Sequence, residues 1–232
     1  GLRLTGVSYE CNTGIFYTGF SGRTSNRPRF SLSNGIADYK QRLLAGKIGI
    51  GKKHKSHLFF TALNAIDDRN SIERNDTINT PKSNFILGSD VALQFFNGKF
   101  KIQGEIAGSK FTDDEEASDL ITNNALKDQI PDFLEPNVST SFGLAYDVRG
   151  AIKLFKNNTV LSGYLRNIDP VYNSFGAPNL RRGVFTYNAE ISQKLFSRSL
   201  TLSLFRKNES TTRLWQDGLT HYERQGGKMR IG

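Results

Sequence analysis

A β-hairpin centred on Asn97-Gly98 is the sequence feature that most constrains the fold of this chain. Asn-Gly is the strongest short-range signal for a two-residue hairpin turn, because a type I′ turn needs positive φ at both central residues. With these two residues at the turn, Phe96 opposes Lys99 and the flanking residues pair outward from there. Each arm is about ten residues long, which is the length of a tilted strand that crosses a bilayer.

The pairing sorts the side chains of this hairpin into an apolar set and a polar set. The apolar set, which we expect to face lipid, is Leu87, Val91, Leu93, Phe95, Phe100, Ile102 and Ile106. The polar set, which we expect to face a lumen, is Asp90, Gln94, Lys101, Gln103 and Glu105. Residues 140–155 alternate in the same way, so that Phe142, Leu144 and Tyr146 join the lipid-facing set and Asp147 and Arg149 join the lumen-facing set. A slip of one residue would exchange the two sets.

The composition argues against an ordinary soluble core. The 232 residues could form one all-β domain or two smaller ones, but only 37% of them are hydrophobic and the mean hydropathy is −0.44. The 17 Phe, 8 Tyr and 22 Gly suit strands better than helices or disorder. No apolar run approaches the length of a transmembrane helix, whereas the hydropathy signal of a membrane barrel is split across alternate residues.

The net charge of +9 could indicate a nucleic-acid partner. The basic residues are scattered, however, with no basic helix and no run of five, so we expect no nucleic-acid binding. The single Cys11 excludes an intramolecular disulfide and indicates nothing about the redox compartment.

The lengths of the connections predict an antiparallel up-and-down meander of about 10–11 strands. The odd-numbered connections are short, at 11–14, 51–57, 97–98, 156–158 and 196–199. The even-numbered ones are long, at 24–38, 67–84, 110–139, from Asp169-Pro170 to Gly183, and at 208–219. Short turns at one end and long loops at the other are typical of bacterial outer-membrane barrels, with turns in the periplasm and loops outside. A soluble sandwich or lipocalin-like barrel is the alternative, but it does not explain this segregation.

Two segments resemble large outer-membrane β-barrel proteins of the Bacteroidota. They are Asp169-Pro170-Val171-Tyr172-Asn173-Ser174-Phe175-Gly176 and Thr80-Pro81-Lys82-Ser83-Asn84-Phe85-Ile86-Leu87-Gly88. The resemblance implies residence in the outer membrane of a Gram-negative bacterium and a barrel considerably larger than this chain. We therefore expect residues 1–232 to form a single transmembrane β-barrel region that is a fragment of a larger barrel. An odd strand number and the C-terminal Met229-Arg230-Ile231-Gly232, which is not an aromatic strand end, agree with a fragment.

The sequence offers little catalytic chemistry. It contains neither Gly-x-Ser-x-Gly nor His-Glu-x-x-His. His54-x-x-His57 could hold a metal, but without a third ligand nearby a solvated turn is the favoured interpretation, and His221 lies in the last strand. We expect no enzymatic activity and no cofactor.

Two groups of carboxylates are candidate binding or catalytic sites. The acidic residues between Asp113 and Asp119 could bind calcium, but they lack the spacing and the glycine of a calcium loop, so a solvated loop is favoured. Asp90 and Glu105 oppose one another directly, which is destabilising unless a cation or a proton intervenes. Lys101, Lys47 or Arg149 could supply that cation, and a catalytic carboxylate pair is the sharper alternative.

Asp76-Thr77-Ile78 in the second long loop resembles the acceptor for O-glycosylation on exported Bacteroidota proteins, with Thr77 as the modified residue. Taken together, these features predict a non-enzymatic integral outer-membrane β-barrel protein. We expect it to be a membrane-embedded platform or subunit of an outer-membrane assembly, in contact with lipid and with other outer-membrane or periplasmic proteins. A porin-like channel or transporter with a polar lumen is the alternative.

Overall fold

The computed structural model describes residues 3–26, 39–71, 80–120, 135–196, 200–213 and 216–231. In this part of the chain eleven β-strands form one sheet, and the strand order in the sheet is the order in the sequence. All ten pairings between neighbouring strands are antiparallel. The predicted all-β, antiparallel up-and-down meander is therefore confirmed.

The strands are numbered in chain order. They are β1 (Arg3–Thr13), β2 (Phe16–Asn26), β3 (Lys40–Gly51), β4 (His57–Asp68), β5 (Ser83–Phe95), β6 (Phe100–Thr112), β7 (Thr140–Leu154), β8 (Thr159–Ile168), β9 (Val184–Leu195), β10 (Leu200–Arg213) and β11 (Gln216–Ile231). Short 3₁₀ turns follow β4 at Arg69–Ser71 and β7 at Phe155–Asn157. Within the described ranges, no helix has both the length and the apolar character needed to cross a membrane.

The hairpin of β5 and β6 has the predicted register. Phe95 pairs with Phe100, and Asp90 pairs with Glu105. Asn97 and Gly98 have φ of 55° and 76°, and the backbone N–H of Lys99 donates to the carbonyl of Phe96 at 3.2 Å. Both features belong to a type I′ turn, but Phe96 also has a positive φ of 53°, and the backbone N–H of Gly98 donates to the carbonyl of Phe95 at 3.0 Å. The strand pairing therefore ends at Phe95 and Phe100, one pair before the predicted Phe96 and Lys99, while the register is the predicted one.

The two faces of the sheet differ sharply in composition, and the pairing register identifies them on every strand. We call the face that carries Asp90 and Glu105 the charged face, and the face that carries Leu93 and Ile102 the apolar face. Among the strand residues whose side chains the structure describes, the strongly exposed large hydrophobic ones all lie on the apolar face, apart from Tyr222. They are Val7, Tyr9, Phe16, Phe20, Leu44, Ile48, Ile50, Phe60, Ile66, Leu87, Leu93, Phe95, Ile102, Ile106, Phe142, Leu144, Val148, Ile152, Leu154, Leu161, Leu165, Ile191, Leu202, Leu204, Met229 and Ile231.

The most buried side chains lie on the charged face instead. Phe59 is only 1% exposed, and its ring stacks between Tyr17 at 4.6 Å and His57 at 4.3 Å between centroids. Ala65 and Ala92 on the same face are also buried. A soluble sheet buries its apolar face and solvates its polar face, so this sheet has the opposite arrangement.

Neighbouring strands are staggered regularly. A row of directly paired residues can be followed across the sheet from β2 to β10. It begins at Phe16, the first residue of β2, and ends at Asn208, eight residues after the first residue of β10. β2 and β10 are also eight strands apart, so the stagger is one residue per strand. With a rise of about 3.3 Å per residue and a strand spacing of about 4.8 Å, this corresponds to a strand tilt of about 35°.

The last hairpin differs from the prediction. The sequence predicts a long loop at 208–219, but β10 continues to Arg213 and β11 begins at Gln216. Residues 207–212 are polar on both faces, so the apolar/polar alternation that identifies a strand is missing there although the backbone pairing continues. The fifth even-numbered connection is therefore short, unlike the other four.

The sheet is not closed. β1 and β11 lie at opposite margins, and neither pairs with the other within the described residues. Because they are both odd-numbered strands of a meander, β1 and β11 run in the same direction. Direct pairing between them would be parallel, so an all-antiparallel closure needs at least one additional strand.

Candidate functional site: a loop folded onto the charged face

The loop between β8 and β9, residues 169–183, folds back over the charged face of the sheet. At Gly143 of β7, a Cβ atom would lie 2.5 Å from the Cα of Tyr172, so the loop backbone rests directly on this glycine. Further along, a Cβ at Gly176 would lie 2.8 Å from the side chain of Leu63 on β4. The loop thus spans the charged face from β7 to β4.

Asn84 on β5 holds the loop in place. Its side chain is fully buried, and its amide nitrogen donates to the backbone carbonyls of Asn173 at 3.2 Å and Lys110 at 3.0 Å. Its amide oxygen accepts the backbone N–H of Phe175 at 3.0 Å. The hydroxyl of Ser109 lies 3.0 Å from the same amide nitrogen, whose two hydrogens are shared among the three acceptors, and it donates to the Asn173 carbonyl at 2.5 Å. A buried amide with all these partners specifies one position for the loop, because any displacement would leave buried polar groups unsatisfied.

Asn84 joins the two segments that carry the resemblance to outer-membrane barrels. It belongs to the segment 80–88, and its loop partners Asn173 and Phe175 belong to the segment 169–176. The ring of Phe175 also packs edge-on against Phe111 of β6, with centroids 5.7 Å apart. Two segments nearly a hundred residues apart in sequence therefore form one contact.

The pairing register places several small residues on the charged face, next to the loop that lies over them. Gly88, Ala107 and Ala145 border the space beneath the loop, and Gly143 contacts it. A strip of small residues across adjacent strands leaves room for a chain segment close to the sheet. These small residues indicate that a chain segment could pack close to the sheet. The alternation of apolar and polar residues does not indicate that the loop 169–183 is that segment.

A cavity of about 360 Å³ lies between the loop and the sheet. Its charged lining consists of Lys47, Asp90, Glu105, Asp147 and Arg166, and its apolar lining includes Leu63, Ile86, Ile168, Tyr172 and Leu180. Burial raises the pKa of the Tyr172 hydroxyl, with a smaller contribution from Glu105, so this phenol stays neutral at physiological pH. The cavity is therefore charged towards the sheet and apolar under the loop.

Four of the charged residues form a row across four strands. Asp90, Glu105, Asp147 and Arg166 are directly paired in succession on β5, β6, β7 and β8. Three adjacent carboxylates repel one another, so cations are needed beside them.

Two of the proposed cations are in position. Lys47 Nζ lies 3.2 Å from Asp90, and the guanidinium of Arg149 binds Asp147 through contacts of 2.6 and 3.0 Å. Glu105 makes no ion pair or hydrogen bond with another described residue, and neither does the side chain of Lys101. Of the three candidate cations for the Asp90–Glu105 pair, only Lys47 reaches it, and it binds Asp90 alone. Arg149 binds Asp147 instead.

His57 is not in a solvated turn, contrary to the favoured interpretation. It is the first residue of β4 and is only 8% exposed. Its Nδ1 faces the carbonyls of Lys55 and Lys52 at 3.0 and 3.3 Å, and its Nε2 lies 3.3 Å from Asp90. Both ring nitrogens are thus engaged with oxygen atoms of the protein, and no third metal ligand joins His54 and His57 in the described part of the chain.

Two of the acidic residues between Asp113 and Asp119 bind neighbouring side chains. Asp113 binds Lys82 at 2.5 Å, and Glu115 lies 3.5 Å from Arg69 and accepts the hydroxyl of Ser83. These carboxylates are therefore directed towards neighbouring side chains rather than towards a common ion. Within the described ranges, no group of three or more His, Cys, Asp or Glu side chains has an arrangement that could hold a metal.

The remaining predicted residues are placed by the register. Asp90, Gln94, Lys101, Gln103, Glu105, Asp147 and Arg149 share the charged face, and Leu87, Val91, Leu93, Phe95, Phe100, Ile102, Ile106, Phe142, Leu144 and Tyr146 share the apolar face. Which face contacts lipid stays a prediction. Thr77 lies outside the described residues, so its O-glycosylation stays a prediction as well.

Comparison with known proteins returned no similar family or structure. No protein-family model matches the chain, and neither a curated protein nor a solved structure matches it.

Replacing Asn84 with alanine should release the loop. We expect a loss of about 1–3 kcal/mol in the free energy of unfolding, because buried partners of the amide are left unsatisfied. We also expect faster hydrogen exchange at the Phe175 amide, measured by mass spectrometry or NMR. Asn188→Ala, on the charged face of β9, is the matched control, since that side chain makes no hydrogen bond to another described residue. Unchanged exchange at Phe175 in the Asn84→Ala variant would show that the loop is held by something else.

Proposed function

We propose that this chain forms part of the wall of an integral outer-membrane β-barrel and acts as a non-enzymatic, membrane-embedded platform in an outer-membrane protein assembly. The observation that carries the proposal is the apolar face, which exposes large hydrophobic side chains on all eleven strands. A soluble monomer rarely exposes a contiguous apolar patch larger than a few hundred Å². A membrane barrel requires such a face, because it contacts the hydrocarbon of the bilayer.

The strand geometry supports the same proposal. The tilt of about 35° that follows from the stagger is within the range of transmembrane barrels, about 35–45°. The short turns also carry aromatic side chains at the ends of the strands. Phe96, Phe155 and Phe196 are 79%, 77% and 77% exposed, beside the turns after β5, β7 and β9. Aromatic residues concentrate where a barrel meets the headgroup region.

The open margins support a role within a larger structure. β1 and β11 run in the same direction and leave both edges of the sheet unpaired within the described residues. Unpaired backbone groups are not tolerated in a bilayer, so each edge must pair with a further strand. A larger barrel, in contact with outer-membrane lipid and with other outer-membrane or periplasmic proteins, satisfies this requirement.

The resemblance to Bacteroidota barrels supports an outer-membrane location in a Gram-negative bacterium. In that orientation the short turns are periplasmic and the long loops are extracellular, as in other outer-membrane barrels. A non-enzymatic role agrees with the side chains of the charged face, where Asp90 and Asp147 pair with cations of the protein itself.

A porin-like channel is the second candidate, and the cavity under the loop is the observation that favours it. Glu105 and Arg166 line this cavity without an ion pair to another described residue. Charged side chains that line a passage select among solutes by their charge.

Arginine substitutions at the centre of β6 test which face contacts lipid. Ile106 lies midway along β6 on the apolar face, so Ile106→Arg should destabilise the folded state in liposomes by about 2–4 kcal/mol. Glu105→Arg should cost less than about 1 kcal/mol, since the new cation would lie between Asp90 and Asp147. The measurement is reversible folding of the protein into liposomes. Equal penalties at the two positions would contradict the assignment of the faces.

Conductance in planar bilayers separates the two candidate functions. A platform predicts no stepwise ion conductance, together with other outer-membrane proteins that co-purify after mild detergent extraction. A channel predicts conductance steps that grow larger in Asn84→Ala, where the loop is released, and an altered ion preference in Arg166→Glu. Steps that are present but insensitive to both substitutions would contradict a passage beneath this loop.

A further inference from the structure

A second cavity, of about 540 Å³, lies on the charged face between the end of the loop 169–183 and strands β7 to β10. It adjoins the cavity beneath the loop, because Asp147, Arg166, Ile168 and Leu180 line both. The two cavities differ in charge. Three of the five charged residues that line the first are carboxylates, whereas four of the six that line the second are cations. We call the second one the cationic cavity.

Both carboxylates that line the cationic cavity are already bound by cations of the protein. The guanidinium of Arg149 binds Asp147 through contacts of 2.6 and 3.0 Å. Glu209 is bound by Arg181 at 2.6 Å and by Lys207 at 3.2 Å. These pairs occupy three of the four cations, and no carboxylate in the described lining is left for the fourth.

Arg166 is this fourth cation. It is directly paired with Asp147 on β7 and with Thr186 on β9, and it is exposed. Its guanidinium makes no ion pair or hydrogen bond with another described residue. Four cations and two carboxylates leave the described lining with two more positive than negative charges. The cationic cavity therefore has both an excess of charge and a guanidinium that is free to bind an anion.

The hydroxyl of Thr186 points to a missing hydrogen-bond acceptor in the same cavity. Thr186 lies between Arg166 and Glu209 in one row of directly paired residues, and it lines the cationic cavity but not the cavity beneath the loop. It is only 5% exposed. Its side chain makes no hydrogen bond with another described residue, although most buried polar groups in proteins have a partner. An acceptor oxygen inside the cavity would satisfy this hydroxyl.

We propose that the cationic cavity binds a phosphate monoester, with its phosphate at Arg166 and Thr186. A phosphate monoester carries about −1.5 to −2 charges at pH 7, which matches the excess of positive charge in the cavity. A guanidinium binds two phosphate oxygens at once, and the buried hydroxyl donates to another. The organic group of the ester then lies against the apolar part of the lining, which consists of Ile168, Leu180 and Val184.

The size of the cavity and its position agree with a small organic ligand. Its volume of about 540 Å³ is within the range of ligand pockets, about 300–1,000 Å³. A singly charged anion would leave part of the positive charge uncompensated, and an inorganic anion would leave the apolar lining without a contact. The proposal depends on the side chains of the charged face, so it applies to a platform and to a channel alike.

Binding of phenyl phosphate to the full protein in detergent micelles tests the proposal, with isothermal titration calorimetry as the measurement. Methyl phenyl phosphate, which keeps the ring but has a single negative charge, tests the role of the second charge. Inorganic phosphate, which keeps the charge but lacks the ring, tests the role of the apolar lining. We expect phenyl phosphate to bind at least about fivefold more tightly than either of the other two.

Three substitutions make the test specific to this cavity. Arg166→Gln should weaken the binding of phenyl phosphate at least about tenfold, because it removes the charge-assisted hydrogen bonds. Thr186→Val, which keeps the shape of the side chain and removes its hydroxyl, should weaken binding about threefold or more. Lys101→Gln is the matched control, since it removes one positive charge from the charged face at a position that lines neither cavity. Circular dichroism verifies that the variants keep the strand content of the parent.

Four outcomes would overturn the proposal. No binding of phenyl phosphate to the parent protein would show that the cavity is not a phosphate site. Equally tight binding of inorganic phosphate or of the methyl ester would contradict a phosphate monoester as the ligand. Unchanged affinity in Arg166→Gln and Thr186→Val would place the binding site elsewhere. An equal loss of affinity in Lys101→Gln would show that the net charge of the protein attracts the anion without a specific site.

Discussion

Backbone hydrogen bonding between neighbouring strands is the interaction on which the rest of this structure depends. Because the side-chain period of a strand is two, each register decides which residues share a face. The Asn97-Gly98 turn sets the register of β5 and β6, and the other strands continue the same row-by-row pairing. The regular stagger and the segregation of the two faces follow from this single pairing pattern.

The charged face is partly covered by the loop 169–183. Small residues leave space above β5 to β7, and the loop 169–183 occupies it through the buried amide of Asn84. Polar groups that are buried and fully paired specify a unique arrangement better than apolar contacts do. Beneath the loop, Lys47 and Arg149 offset the repulsion within the row of carboxylates. The loop and this row together shape the cavity.

The sequence predicted those features that depend on local turn chemistry and on alternation. The type I′ turn, the antiparallel meander and the sorting of Asp90 and Leu93 to opposite faces belong to this group. Alternation is absent where both faces are polar, so the sequence predicts a loop after Lys207 although β10 continues to Arg213. The burial of His57 and the hydrogen bonds between Asn84 and the loop 169–183 depend on contacts between segments distant in sequence. Asn84 pairs with residues about ninety positions away, and no local pattern encodes such a contact.

The central claim is that the apolar face contacts lipid and the charged face does not. Its most direct measurement is a scan of single cysteines at positions 101–107 of β6, in a background where Cys11 is replaced by serine. Each cysteine carries an environment-sensitive fluorophore, and the protein is folded into liposomes that contain a lipid with a quencher on its acyl chain. The account predicts quenching that alternates along the strand, strong at positions 102, 104 and 106 and weak at 101, 103, 105 and 107. Quenching that is uniform, or absent at every position, would contradict it.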